Sequence, residues 1–141
     1  MRTFIIALLI PMFLLSAPRD IQVNRLHQWF IKYDSPLVGY EQDFVDMARE
    51  FELDYRLLPA IATQESQCGK IMPDNSYNVF GYNNGDWNFR NYKHAIWAVG
   101  LQITYGKPYY GKSLDEKLKI YNPNYGYSER IKRIMENMCE N

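Results

Sequence analysis

Glu65 stands near the end of the apolar run Leu57-Leu58-Pro59-Ala60-Ile61-Ala62-Thr63-Gln64-Glu65-Ser66-Gln67-Cys68-Gly69. Leu57, Leu58, Ile61 and Ala62 recur at helical spacing, which places Glu65 one turn after Ile61, on or beside the buried stripe. A carboxyl among apolar neighbours keeps its proton to higher pH than one in water. A proton held near neutrality is what a leaving glycosidic oxygen requires. A helix-end glutamate that simply reaches solvent fits the same pattern, so the rest of the chain has to separate the two readings.

Acid-catalysed cleavage of a glycoside also needs negative charge or a nucleophile on the opposite face of the sugar. Asp74 and Asp86 are the acids in the stretch that follows. A separation of about 6.5–9.5 Å from Glu65 would suit a water-mediated, inverting attack. Both also fit a plain turn role, Asp74 after Pro73 and Asp86 after Asn84-Gly85. The aromatics Tyr77, Tyr82, Trp87 and Tyr92 offer flat faces on which sugar rings could stack, although most large aromatics in a small domain are packing. His27 and His94 lie in no metal-ligand spacing, so neither a metal nor a cofactor is expected. No Gly-rich phosphate loop, Ser-His-Asp or Cys-His arrangement presents itself.

These residues must be positioned mainly by helices. Val23, Leu26, Phe30 and Tyr33 form one apolar stripe that stops before Asp34-Ser35-Pro36, and Leu37, Tyr40, Phe44, Ala48 and Phe51 form a longer one. Asp54 is the expected N-cap of the Glu65 helix, in which Pro59 is tolerable near the first turn. Between Gly69 and Tyr92 helical periodicity gives way to Asn, Gly and aromatic residues. There Asn84-Gly85, between Phe80-Gly81-Tyr82 and Trp87-Asn88-Phe89, predicts a two-residue β-hairpin and a small antiparallel lobe. Helix resumes with Ile96, Val99, Gly100 and Ile103 and should end near Tyr105-Gly106. Ser113-Leu114-Asp115-Glu116 is a capping box for a short helix that Asn122-Pro123 stops. Ile131, Ile134, Met135 and Met138 mark a last helix.

At 141 residues, the chain supports one domain with a real core. Its 16 lysines and arginines balance 16 aspartates and glutamates without a run of like charge. Nothing in that balance suggests a nucleic-acid footprint or a polybasic membrane patch. Arg2, an apolar run over 4–15 and Ser16-Ala17 have the layout of a secretory signal, too short for an ordinary membrane span. Residues 1–17 are therefore read as a signal peptide or short N-terminal anchor and 18–141 as the domain. The protein is expected to be exported: secreted, periplasmic or bound to the cell envelope, with the membrane involved only through that anchor. Export permits a disulfide between Cys68 and Cys139, and two separate thiols remain the alternative.

Taken in order, the Glu65 helix end, Asn78-Val79-Phe80-Gly81, Phe89-Arg90-Asn91-Tyr92 before a helix, and Tyr127-Ser128-Glu129-Arg130-Ile131 form a set. This set resembles the glucosaminidase family of bacterial peptidoglycan hydrolases, a branch of the lysozyme-like superfamily. That family carries Ala-x-x-Glu-Ser-x-x-Gly, here Ala62 to Gly69, then Asn-x-Phe-Gly and a closing Tyr-Ala-x-Lys-Ile pattern. The resemblance covers residues 37–138. It implies a mainly α, lysozyme-like domain with a small β-hairpin lobe that acts as a monomer on peptidoglycan glycan strands and cleaves β-1,4 bonds beside N-acetylglucosamine. Glu65 would be the general acid and Tyr127 would assist across the cleft, with Tyr125 near enough to replace it. Asn78, Phe80, Gly81, Tyr82, Trp87 and Tyr92 would meet the glycan, although Phe80, Gly81, Phe89 and Arg90 also suit structural roles. An N-acetylated sugar could supply its own acetamido oxygen as nucleophile, which would make Asp74 and Asp86 dispensable. A lytic transglycosylase of the same superfamily is the nearest alternative, but the Gly-Leu-Met-Gln segment typical of those enzymes is absent. A non-catalytic module that binds wall glycan is the alternative from another class.

Overall fold

A computed structural model of the chain describes residues 18–139. The expected export segment, residues 1–17, lies outside the described residues. Among the described residues six α-helices follow one another in chain order: α1 (Arg19–Lys32), α2 (Glu41–Glu50), α3 (Leu57–Ser66), α4 (Tyr92–Tyr105), α5 (Leu114–Tyr121) and α6 (Tyr127–Asn137). The domain is mainly α, and no strand occurs among the described residues.

α3 is the central element. Residues 57–63 and Ser66 are all buried, only Gln64 is exposed, and Glu65 is half-buried. A helix apolar on every side must be surrounded, and α6 packs directly against it. Pro59 is the third residue of α3, where its missing N–H has no intrahelical acceptor to lose. Asp54 serves the turn ahead of the helix: its Oδ1 accepts the Arg56 amide at 2.9 Å, and Arg56 itself is the N-cap. α2 bridges α1 and α4. It begins at Glu41 rather than at the Leu37 stripe, because a turn closed by the Tyr40 amide on the Leu37 carbonyl and Gly39 at φ +97° intervene. The α2–α4 crossing is tight: a Cβ on Gly100 would stand 2.3 Å from the Met47 sulfur.

The ends of α4 and α5 follow local chemistry. The Asn91 side chain accepts the His94 amide at 2.8 Å and starts α4. Ser113 and Glu116 form the full reciprocal capping box of α5, and Asn122 before Pro123 ends it in extended geometry. α6 turns Ile131 and Met135 into the core, with Met138 buried just past its end, and leaves Ile134 partly buried.

The expected β-hairpin lobe does not form. Asn83 and Asn84 both adopt left-handed backbone, at φ +53° and +56°, within a tight turn over Tyr82–Gly85. The flanking runs do not pair with each other. Instead the Asn78 amide takes over the groups a ladder would use: Nδ2 donates to the carbonyls of Tyr82 at 3.0 Å and Trp87 at 2.9 Å, and Oδ1 accepts the Tyr82 amide at 2.9 Å. The Phe89 amide goes to the Ser76 carbonyl at 2.8 Å. One buried side chain therefore satisfies three backbone groups across nine residues of chain and removes the drive to form a sheet.

Cys68 and Cys139 are not bridged. Cys68 is buried, with Thr63 Oγ1 3.7 Å from its sulfur, whereas Cys139 is exposed and accepts from Arg56 Nη1 at 3.0 Å. α6 lies against α3 through apolar packing, so no covalent link is needed to hold it there.

Candidate active site

Glu65 is the penultimate residue of α3, and its neighbour Ser66 ties the helix end to the next segment. The Ser66 hydroxyl lies 2.7 Å from the Val79 carbonyl and 3.0 Å from that of Ala62, so one proton is shared between them, while its oxygen accepts the Gly69 amide at 2.8 Å. Gln67, Cys68 and Gly69 follow in left-handed backbone, which turns the chain sharply away from α3. The result is that Val79-Phe80-Gly81 runs beside the Glu65 side chain.

Gly81 has φ +58°, and a Cβ there would lie 3.1 Å from Glu65 Oε2. Its bare backbone forms one side of a cleft of about 460 Å³ that also takes in Glu65, Asn84, Tyr121 and residues 122–124. Glu65 is the only acid among the residues lining this cleft.

Two tyrosines stand beside Glu65 with different commitments. Their rings stack nearly parallel, 6.3 Å apart at 9°. The Tyr121 hydroxyl donates to the Phe80 carbonyl at 2.5 Å. Tyr127 is 1% exposed, and its hydroxyl is buried with no hydrogen-bond partner. The Glu65 carboxylate is near enough to act on the Tyr127 phenol, although no hydrogen bond is formed between them. Burial first, and then that carboxylate, holds the Tyr127 phenol protonated well above the usual tyrosine range. Tyr121 is pushed the same way, chiefly by burial and then by Tyr127 and Glu65. Both phenols are therefore neutral at ordinary pH and can act as hydrogen-bond donors but not as anions.

The residues expected at the glycan divide into two groups. Gly81 lines the cleft, but Asn78 and Phe80 do not reach it, being 3% and 0% exposed. Asn78 is committed to the loop bonds described above, and Phe80 packs edge-on against Phe44. Tyr82 is half-buried between Trp87 and Tyr121. Trp87 is 40% exposed, and Tyr92 makes edge contacts with Tyr40 and Tyr77. Tyr125 is fully exposed and cannot stand in for the buried Tyr127. Asp74 and Asp86 are exposed and absent from the cleft lining. Among the described residues no group of three or more His, Cys, Asp or Glu side chains could hold a metal ion.

Tyr121 and residues 122–124 are the contributors that sequence reading missed. Asn122-Pro123 was legible as a helix stop, which marks a loop, but nothing local places that loop opposite Glu65. Comparison of the chain with protein-family models, curated proteins and solved structures returned no match.

Proposed function

We propose that the protein is a lysozyme-like peptidoglycan hydrolase that cleaves β-1,4 glycosidic bonds beside N-acetylglucosamine, with Glu65 as general acid and Tyr127 as its partner across the site. The observation that carries this reading is the single carboxyl of the cleft held against the bare backbone of Gly81, beside a buried phenol whose hydroxyl has no partner. A buried unpartnered hydroxyl costs free energy, so its retention beside an accessible acid points to a role in the bound state.

In this mechanism Glu65 gives its proton to the leaving glycosidic oxygen as the C1–O bond breaks. With no second acid lining the cleft, the substrate's 2-acetamido oxygen attacks C1 and forms a cyclic oxazolinium ion. Glu65, now a carboxylate, takes a proton from water as that water opens the ring, and the starting protonation state returns. Tyr127, held neutral, donates a hydrogen bond within the site and supplies no negative charge. The acetamido route and the lack of a second acid in the cleft support each other, and they favour a substrate rich in N-acetylated sugars.

The test is mass spectrometry of fragments released from purified peptidoglycan. New reducing N-acetylglucosamine ends are expected. Anhydro-muramoyl ends would replace hydrolysis by transglycosylation, and absence of fragments would leave a glycan-binding module.

A further inference from the structure

The Glu65 cleft is walled by two segments distant in sequence: the turn through Gly81, Asn84 and Gly85, and the loop Asn122-Pro123-Asn124 after α5. Tyr121 joins them, since its hydroxyl donates to the Phe80 carbonyl at 2.5 Å. Three of the lining residues are asparagines, and Glu65 is the one charged group among them. Each asparagine amide carries an NH2 donor and a carbonyl acceptor. Their commitments differ, and the difference decides what they can bind.

Asn122 is half-buried, and its Oδ1 accepts the Asn124 backbone amide at 3.0 Å. The partner is an N–H, so the oxygen has to face it. That fixes which way round the side-chain amide lies and leaves Nδ2 as a donor without a partner among the described residues. The Asn122 backbone is held as well, its own amide donating to the Leu118 carbonyl at 3.0 Å. The Asn84 side chain forms no hydrogen bond among the described residues, yet its backbone is placed. It sits at φ +56° in the turn that Asn78 secures through the Tyr82 and Trp87 carbonyls, and the Gly85 amide closes on the Gly81 carbonyl at 3.3 Å. The cleft thus presents one amide preset as a donor, one with both functions free, and apolar surface from Pro123 and the Tyr121 ring.

A 2-acetamido group has the complementary parts: a carbonyl acceptor, an N–H donor and a methyl group. We propose that Asn84 and Asn122 form an amide clamp that selects the 2-acetamido group of the sugar at Glu65, with Asn84 Oδ1 accepting its N–H and Asn122 Nδ2 donating to its carbonyl oxygen. The inference rests on the hydrolase reading for the reaction and names the residues that choose its substrate. A carbonyl oxygen has two lone pairs, so one accepts from Asn122 while the other faces C1. As that oxygen attacks, the acetamido nitrogen takes up positive charge, and its hydrogen bond to Asn84 strengthens. Neutral amides do this without placing a second charge beside the acid.

Equilibrium binding to the Glu65→Gln protein tests the clamp without turnover. The probes are a chito-oligosaccharide and a cello-oligosaccharide of equal length, both neutral β-1,4 glycans that differ only in acetamido against hydroxyl at C2. Tighter binding of the chito-oligosaccharide is expected. Asn84→Gly removes the amide and keeps a residue at ease in left-handed backbone. Asn122→Asp keeps the acceptor for the Asn124 amide and removes the donor. Each, on the Glu65→Gln background, should shrink the chito-over-cello ratio about two- to tenfold, the size of one neutral hydrogen bond. A ratio near one in the parent protein, or a ratio that survives either substitution, overturns the clamp. Wild-type turnover of peptidoglycan reports separately on the hydrolase reading: a ratio that both variants shrink without turnover keeps the clamp and removes the enzyme, and turnover with a ratio near one does the reverse.

Discussion

Gly81 and Glu65 meet backbone to carboxyl: a methyl group built on the Gly81 Cα would stand 3.1 Å from Glu65 Oε2. The glycine also sits at φ +58°, a conformation in which a side chain is strained. Gly81→Ala therefore meets two penalties at once. Expected is a loss of about 1–3 kcal/mol in urea unfolding, together with a fall in glycan turnover as the carboxyl is displaced. An alanine variant with unchanged stability and turnover would show that the contact does not hold the acid in place.

Glu65→Gln keeps the shape of the side chain and removes the transferable proton. Turnover of purified peptidoglycan should drop by about 10²–10⁴-fold, the usual contribution of general acid catalysis. Thermal unfolding should change little, because the residue is half-buried rather than part of the core. A folded glutamine variant with near-wild-type turnover defeats the assignment.

The stacked tyrosines should respond oppositely to loss of their hydroxyls. Tyr121→Phe strands the Phe80 carbonyl, which now accepts at 2.5 Å, and should cost about 1–3 kcal/mol. Tyr127→Phe removes a buried hydroxyl that has no partner, so stability should hold or rise while turnover falls. Chemical denaturation and activity assays on the two variants separate the roles. Equal destabilisation by both would mean that the Tyr127 hydroxyl is bonded in solution.

Alkaline pH gives a further signature. Tyr121 and Tyr127 are raised above their unfolded values and Tyr109 is pushed up to about 12, in each case first by burial. Once pH exceeds about 10, the ordinary tyrosine value, the unfolded chain releases phenolic protons that the folded chain keeps. The unfolded state then binds fewer protons, and stability falls as pH rises. The contribution is fully present below about pH 10. Urea midpoints measured on either side of that value should drop on the alkaline side, and Tyr127→Phe should blunt the drop.

The two thiols should be free and unequal. Alkylation of non-reduced protein followed by intact mass should find two reactive groups in denaturant. In the native state only the exposed Cys139 should react quickly, since burial covers Cys68 and pushes its thiol up. A mass two hydrogens lower with no label in denaturant would establish the bridge that the structure lacks.

The local grammar of the chain settled its helical class. Apolar periodicity marked the α3 and α6 stripes, Ser113 with Glu116 marked the start of α5, and Asn122-Pro123 marked its end, because caps and stripes act over a few residues of the same segment. Glu65 was legible for the same reason: an acid one turn beyond a buried residue is a fact of spacing. The surroundings of that acid were decided by the tertiary structure. The Tyr121 hydroxyl finds a carbonyl 41 residues away, and packing of α6 on α3 sets Tyr127 beside Glu65. No local preference selects such partners. The Asn84-Gly85 signal failed on the same ground. A turn dipeptide favours a hairpin only if the flanking backbone has no better acceptor and donor, and here the buried amide of Asn78 provides both. Cysteine parity was equally silent on distance, since only the packed chain shows one thiol sealed inside and the other at the surface.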